Sequence, residues 1–348
     1  MRVADQVVVA ALVATAAVAA QCSSASRSEP IAPPRIVISI PAQGIDTSGA
    51  SILPDGKGGV WIVAAPDDAV HRVDVQSGSV ANYPLPQNAE AHGAVIEGGA
   101  LWLADYSNSE LLRYDNAGAM KAYPLGPGIF PYGLAIDEGK FLFVEHLKQA
   151  VGVMTSEGSV SAMPVPMPSG LGGLMARDDD GALWVGGPAG KGEVGRLAGD
   201  GSFQLFGVRG QLFRLFACPN GSVAFAAVDG MGSPWIERIG LMDARGREQH
   251  ADYVPSSAAA SRTPRPGGVA QPASHIVGPP PPPPIEFFGC DAGGAWFVID
   301  RTLVGHVSDS GAVKYFSIDQ LSALQTTAPS PPRSAWIALD DRIVELSY

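Results

Sequence analysis

Short apolar strands separated by Gly-rich turns recur along the chain at an interval of about 40 residues. Each copy carries a continuous apolar run, as in GVWIV, ALWLA and GAWFV, at whose centre a bulky residue usually stands. Alternating strands at this period are typical of four-stranded propeller blades, whereas helical arrays show a 3.6-residue spacing. The equivalent positions, which lie 41, 40, 42, 40, 72 and 40 residues apart, are Trp61, Trp102, Leu142, Trp184, Ala224, Trp296 and Trp336. The sequence therefore predicts an all-β, seven-bladed β-propeller of four-stranded antiparallel blades.

The two ends of the repeat region predict how the ring closes. After the last repeated strand the chain has one more strand, RIVELSY, so the seventh blade lacks its outermost strand. The segment RIVISIP, Arg35 to Pro41, precedes the first blade and is similar to the strands that end the complete blades. Pairing this segment onto the last blade would leave no open sheet edge. We therefore expect residues 35–348 to form the propeller, closed by its N-terminal strand.

Three other segments differ from the repeats. Residues 1–20 contain an apolar run that ends in small residues, which predicts a signal peptide and an exported protein, periplasmic, extracellular or anchored to the outer membrane. Residues 21–34 predict a flexible tether. Cys22 is either a lipidated residue of a bacterial lipoprotein or part of this tether after cleavage at Ala20, and we favour the second. Residues 255–284, which end in six prolines, predict a disordered insertion between blades five and six. A surface insertion is favoured there over a lid on the channel.

Composition and motifs exclude several classes of function. The 348 residues carry a formal net charge of -11 and no cluster of Lys or Arg, so neither nucleic acid nor anionic lipid is expected as a partner. The 46% hydrophobic content, with 42 Gly and 30 Pro for turns, suits a large soluble β domain. We find no nucleophile elbow, HExxH pair or phosphate loop that would support a common hydrolase or kinase.

Two of the three cysteines stand at the same place in consecutive blades. Cys218 and Cys290 each lie six residues before the repeated strand position. They are either a disulfide between adjacent blades or two separate buried thiols, because a disulfide needs Cα atoms within about 7 Å. Separate thiols are the favoured interpretation. No CxxC spacing predicts a zinc or redox site.

The blade pattern, an apolar strand with DG or GG, then LW and an acidic residue, then Y-P-L-P, resembles the virginiamycin B lyase (streptogramin lyase) family. A looser likeness links it to NHL-repeat propellers. The resemblance covers residues 35–348 and implies a site at the channel mouth where histidine, carboxylates and a magnesium ion open a cyclic depsipeptide lactone by elimination. This chain departs from the W-F-T-E pattern of related lyases, since the matching segments contain a single glutamate and blades one and four lack the acid.

Propeller topology predicts which polar residues share the channel mouth. Loops that enter the inner strands and loops that join strands two and three lie on one face of the ring. The candidates on this face are His92, Tyr132, Arg214, Glu286, Asp105, Glu145, His146, Asp300 and Asp340. A lyase would use Asp105, Glu145 and Asp300 near a magnesium ion, with His92 or His146 as the base and Tyr132 and Arg214 beside them. The favoured alternative is that the strand-end acids only accept hydrogen bonds from the loops.

Two functions remain open on these residues. The favoured one is an exported propeller that binds a small molecule, glycan or peptide at the channel mouth, with little or no catalysis. The alternative is a magnesium-dependent lyase that opens a cyclic ester. A lactone hydrolase of the gluconolactonase type is less well supported, because its set of calcium-binding carboxylates is not found in the sequence.

Overall fold

The computed structural model of the chain describes residues 34–41, 45, 50–64, 68–145, 148–187, 191–229, 236–253, 285–299, 303–317, 334–339 and 342–348. Within these residues the chain forms strands and no helix. None of the described segments is a helix long and apolar enough to cross a bilayer. The predicted signal peptide, Cys22, nearly all of the tether and the Pro-rich insertion lie outside the described residues.

Six sheets have four strands each, and the strands of each sheet pair in chain order. Blades one to three comprise β2 (Ser51–Pro54), β3 (Gly59–Val63), β4 (Ala69–Asp74), β5 (Val80–Pro84), β6 (Ala91–Glu97), β7 (Ala100–Asp105), β8 (Glu110–Tyr114), β9 (Met120–Pro124), β10 (Pro131–Asp137), β11 (Lys140–Glu145), β12 (Ala150–Met154) and β13 (Val160–Pro164). Blades four to six comprise β14 (Met175–Arg177), β15 (Leu183–Gly186), β16 (Glu193–Leu197), β17 (Phe203–Gly207), β18 (Gln211–Ala217), β19 (Val223–Asp229), β20 (Ile236–Met242), β21 (Glu248–Tyr253), β22 (Ile285–Asp291), β23 (Gly294–Ile299), β24 (Leu303–Ser308) and β25 (Val313–Ser317).

The seventh sheet is built from both ends of the propeller. Its described strands are β26 (Ser334–Ala338), β27 (Arg342–Ser347) and β1 (Arg35–Pro41), and β27 lies between the other two. The first and last pairs of the β1–β27 register are Arg35 with Ser347 and Pro41 with Arg342. The predicted closure by the N-terminal strand is therefore confirmed. It removes the unpaired edge that β27 would otherwise present.

The inner strands of the blades stand side by side around a central channel. Contacts link β2, β6, β10, β14, β18, β22 and β26 in this order, and β26 contacts β2 in turn. The ring is thus closed, and the predicted seven-bladed architecture is confirmed. Among the described strands of the seventh blade, β26 contacts the inner strands of blades one and six, and its half-buried Trp336 lines the larger cavity of the channel.

Continuous apolar runs form the second strand of each complete blade because that strand is covered on both sides by neighbouring blades. β3, β7 and β23 are buried along their whole length. Trp61 and Trp184 are fully buried. The core clusters join consecutive blades; in one of them Trp184 of blade four packs with Phe225 of blade five. The outer strands consist mainly of half-buried and exposed positions, as in β17, since one of their faces meets water.

In blades four and six an acid at or after the end of the inner strand binds the tryptophan of the second strand. Asp178 accepts the indole N–H of Trp184 at 3.0 Å, and Asp291 accepts that of Trp296 at 2.8 Å. His306, which is buried, places its Nε2 3.2 Å from Asp291. Burial alone would raise the pKa of Asp291, but the hydrogen bonds from His306, the Gly293 N–H and Trp296 outweigh it and lower the pKa to about 2. His306 therefore belongs to the hydrogen-bond network within blade six.

A disulfide joins Cys218 and Cys290, whose Cα atoms are 5.6 Å apart. The favoured interpretation of two separate thiols was wrong. That interpretation assumed that the two Cα atoms lie too far apart for a disulfide. They lie close together because β18 and β22 are adjacent inner strands that end at the same face of the ring. Equivalent positions in neighbouring blades therefore meet the geometric requirement for a disulfide at this point.

Candidate functional site

Two cavities in the central channel are lined by described residues and share part of their wall. The larger has a volume of about 670 Å³ and the smaller about 480 Å³. Ser51, Met175, Arg214 and Leu215 line both of them. Cavities of this size are typical of small-ligand sites, which are concave and largely apolar with a few polar groups. Of the predicted mouth residues, His92, Tyr132, Arg214 and Glu286 lie on these walls.

β-bulges place several of the channel residues. In four inner strands one residue is left out of the ladder with the second strand, and these residues are His92, Gly133, Phe213 and Phe288. A bulge inserts an extra residue, bends the strand and changes the direction of nearby side chains. All four of these residues line the channel. The bulges therefore determine which side chains the channel presents.

Glycines let the inner strands of blades two, three and four approach closely. A Cβ on Gly93 would lie 2.6 Å from the backbone nitrogen of Leu134, and one on Gly133 would lie 2.5 Å from the carbonyl oxygen of Gly173. Gly133 also has a φ of 48°, in the left-handed region that favours glycine. At these glycines the neighbouring inner strands come close together, next to His92 and Tyr132.

An aromatic cluster forms this side of the channel mouth. The rings of His92 and Tyr132 are stacked, with centroids 4.2 Å apart, and Tyr106 meets His92 edge-on at 5.3 Å. Phe130 lies 5.3 Å from Tyr106. His92 Nε2 is 3.9 Å from a carboxylate oxygen of Glu90, which is exposed. The cluster thus combines aromatic surface with an imidazole ring. Tyr106, Phe130 and Glu90 were not identified from the sequence as part of the site.

Arg214 and Glu286 lie on adjacent inner strands on the other side of the channel. Arg214 donates a hydrogen bond from Nη1 to the carbonyl of Phe213 at 2.9 Å, and its guanidinium carbon is 5.9 Å from the Phe213 ring. Both charged residues are half-buried on the wall of the larger cavity. The wall near them also contains the apolar residues Phe216, Phe287, Phe288, Trp336 and Ile337. Repeat spacing places these strands, but only the assembled ring brings their side chains together.

The described carboxylates predicted to bind metal already have protein partners. Asp105 is fully buried and accepts hydrogen bonds from the backbone N–H of Glu90 at 3.1 Å and from the side-chain amide of Asn108 at 2.8 Å. Glu145 is buried and lies 2.8 Å from Lys148 Nζ. Within the described part of the chain no group of three or more His, Cys, Asp or Glu side chains is arranged to hold a metal ion. Both described carboxylates are therefore engaged within the protein.

Three of the predicted mouth residues, His146, Asp300 and Asp340, lie outside the described residues. Their roles stay predictions, and so does the metal assignment that includes Asp300. The structure places His92, Tyr132 and Arg214 on the channel wall, and their catalytic assignment also stays a prediction.

The fold and the channel define a seven-bladed propeller with a ligand-sized central cavity. Comparison with family models then shows the family: the Virginiamycin B lyase family matches residues 36–248, more than half of the chain. The chain belongs to the Virginiamycin B lyase family. The predicted resemblance is thereby confirmed.

Solved structures agree on the fold. A streptogramin B lyase structure is 18% identical, covers 89% of this chain and 96% of its own, and has a TM-score of 0.60. Virginiamycin B lyase from Staphylococcus aureus is also 18% identical, with 89% and 98% covered and a TM-score of 0.61. BamB from Moraxella catarrhalis is 10% identical, with 85% and 83% covered and a TM-score of 0.52. At these identities the likeness concerns the fold alone. A search of curated proteins gave no match.

Proposed function

We propose that this protein is an exported propeller that binds a small molecule, glycan or peptide in its central channel, with little or no catalysis. The observation that carries the proposal is the channel wall, where His92, Tyr132, Arg214 and Glu286 converge on a cavity of about 670 Å³, lined by both polar and apolar groups, and on its smaller neighbour. Convergent polar groups over an apolar cavity are the usual composition of a ligand site.

Two further observations support parts of the proposal. Asp105 accepts a hydrogen bond from Asn108 and Glu145 pairs with Lys148, so both described strand-end carboxylates have partners within the protein. The Cys218–Cys290 disulfide is the kind of bond that persists in oxidising compartments, which supports export.

Ligand-observed NMR with a mixed library of aromatic acids, amides, sugars and short linear and cyclic peptides tests the binding function. Ser51 is exposed and lines both cavities, so Ser51→Trp would fill the channel at little cost in stability. Ser161, exposed on the outer strand β13, supplies the matched control Ser161→Trp. We expect ligands that bind the wild type and Ser161→Trp but bind Ser51→Trp at least about tenfold more weakly. Failure to find any ligand whose binding Ser51→Trp weakens would refute a channel site.

The alternative function is a magnesium-dependent lyase that opens a cyclic ester by elimination. Family membership and the half-exposed His92 on the channel wall favour it. A solved structure of a catalytically inactive virginiamycin B lyase variant from Staphylococcus aureus with quinupristin, 18% identical, supports testing cyclic depsipeptides as substrates. Turnover of cyclic esters that disappears with a chelator and with His92→Ala, in a protein of unchanged melting temperature, would establish this alternative instead of the binding function.

A further inference from the structure

Arg214 is a channel cation whose charge is not matched by any carboxylate of the described residues. Its guanidinium carries five N–H donors, and its hydrogen bond within the described residues is the one to the Phe213 carbonyl. No described carboxylate lies within 4.0 Å of it, including Glu286 on the adjacent strand. Arg214 is half-buried on the wall of both cavities, so donors remain that can be reached from the channel.

Other arginines of the fold are used differently. Several are each paired with an aspartate, namely Arg72, Arg177, Arg196, Arg238 and Arg247. In these five pairs the guanidinium charge is matched within the blades themselves. Arg214 stands apart because it combines a channel position with the lack of an acidic partner.

The surroundings of Arg214 indicate the kind of ligand group it suits. A guanidinium presents a planar fork of donors that matches a carboxylate through two parallel hydrogen bonds. The apolar wall beside it includes Phe216, Phe287 and Phe288 and suits a ring or another apolar body. Because the whole chain carries a formal net charge of -11, its field repels anions in general, and an anion that binds needs a local cation such as Arg214.

We propose that the channel takes a small ligand that joins a carboxylate to an aromatic or otherwise apolar body, with the carboxylate on Arg214 and the body against the phenylalanines. This assignment rests on the proposed binding function and names its ligand class. Arg214 is then the residue that determines specificity for the acid.

Matched acids and amides separate the carboxylate from the apolar body. The probes are phenylacetate, indole-3-acetate, N-acetylphenylalanine and N-acetyltryptophan, each compared with its neutral amide in NMR titrations of the full-length protein. We expect at least one acid to bind at least about tenfold more tightly than its amide. Arg214→Gln removes this preference, and Arg214→Lys, which keeps the charge but not the planar fork, retains part of it. Glu286→Gln strengthens acid binding, because it removes a negative charge from the same cavity.

Arg245 provides the control, since it is exposed on the turn after β20, away from the channel. Arg245→Gln should keep the wild-type preference for the acid. Equal binding of acid and amide, or an acid preference that survives Arg214→Gln, would overturn the assignment, and so would failure of all four acids to bind. If library ligands still bind in a Ser51-dependent manner in those cases, the channel function stands and only the ligand class is wrong. If no ligand depends on Ser51, the binding function itself fails.

Discussion

Glu237 is a buried carboxylate at the start of β20, and neither of its oxygens has a hydrogen-bond partner among the described residues. Ile239 and Leu241 lie on the same face of β20 as Glu237, and both are buried in the core between blades five and six. Burial in these surroundings disfavours the charged form and raises the pKa of Glu237 to about 8. A carboxyl group in this position is stable mainly in its protonated form.

The raised pKa of Glu237 predicts a stability that falls with pH. Between its ordinary pKa of 4.5 and about 8 the folded state keeps a proton that the unfolded state has lost, so the unfolding free energy declines as pH rises through this window. Glu237→Gln removes the decline. Urea unfolding should give similar stabilities for both proteins at pH 4, and at pH 8 the variant should be more stable by on the order of a few kcal/mol.

The control for this prediction is Glu97→Gln, at an exposed position that ends β6. Its unfolding free energy should follow the wild-type pH dependence. A Glu237→Gln protein that loses stability between pH 5 and 8 as steeply as the wild type would show that Glu237 is not the group responsible.

At the scale of the elements, the disulfide connects the two inner strands that carry Arg214 and Glu286. Cys218 directly follows β18, and Cys290 lies near the end of β22. Both sulfurs are buried in the core between blades five and six. The segment between blades five and six is longer than the others, so the bond closes a loop of 72 residues. Such a bond stabilises the fold mainly by restricting the unfolded chain.

Removal of the disulfide should therefore lower stability without changing the fold. The double variant Cys218→Ala/Cys290→Ala should lose about 2–5 kcal/mol of unfolding free energy, the usual range for a native disulfide. Reductant should lower the melting temperature of the wild type and leave that of the double variant unchanged. Equal stability of oxidised wild type and double variant would contradict a stabilising role.

At the scale of the whole molecule, β1 is the strand that joins the two ends of the ring. It pairs with β27, and its Ile40 is buried in a cluster with Ile62 and Val73 of blade one and Ile343 of blade seven. Loss of β1 would therefore open a sheet edge and expose part of the core between the first and last blades.

Two truncations test the closure. A protein that starts at Pro34 keeps β1, whereas one that starts at Ala42 lacks it. We expect the first to melt as the full-length protein does and the second to melt at a markedly lower temperature and to aggregate through the exposed edge of β27. Identical melting curves for the two truncations would show that β1 contributes nothing to the ring.

Several features of this fold could be predicted from local sequence alone. Repeated apolar strands at the Trp61 and Trp102 positions predicted the blades, because a few consecutive residues are enough to indicate a buried strand. The likeness of Arg35–Pro41 to the outer strands predicted the closing pair with β27. The repeat also predicted that His92, Tyr132, Arg214 and Glu286 lie at the entry to the inner strands, and the structure places them within those strands on the channel wall.

Other features depended on contacts between residues far apart in the chain, which only the closed ring decided. The bulges that put Phe213 and Phe288 on the channel wall depend on how two strands pair, and a one-residue insertion in the ladder leaves no clear mark in the sequence. The Cys218–Cys290 bond depends on the distance between neighbouring blades, and the engagement of Asp105 depends on the fold of its loop. The repeat thus determined the architecture of this propeller, while tertiary packing determined which side chains its channel offers to a ligand.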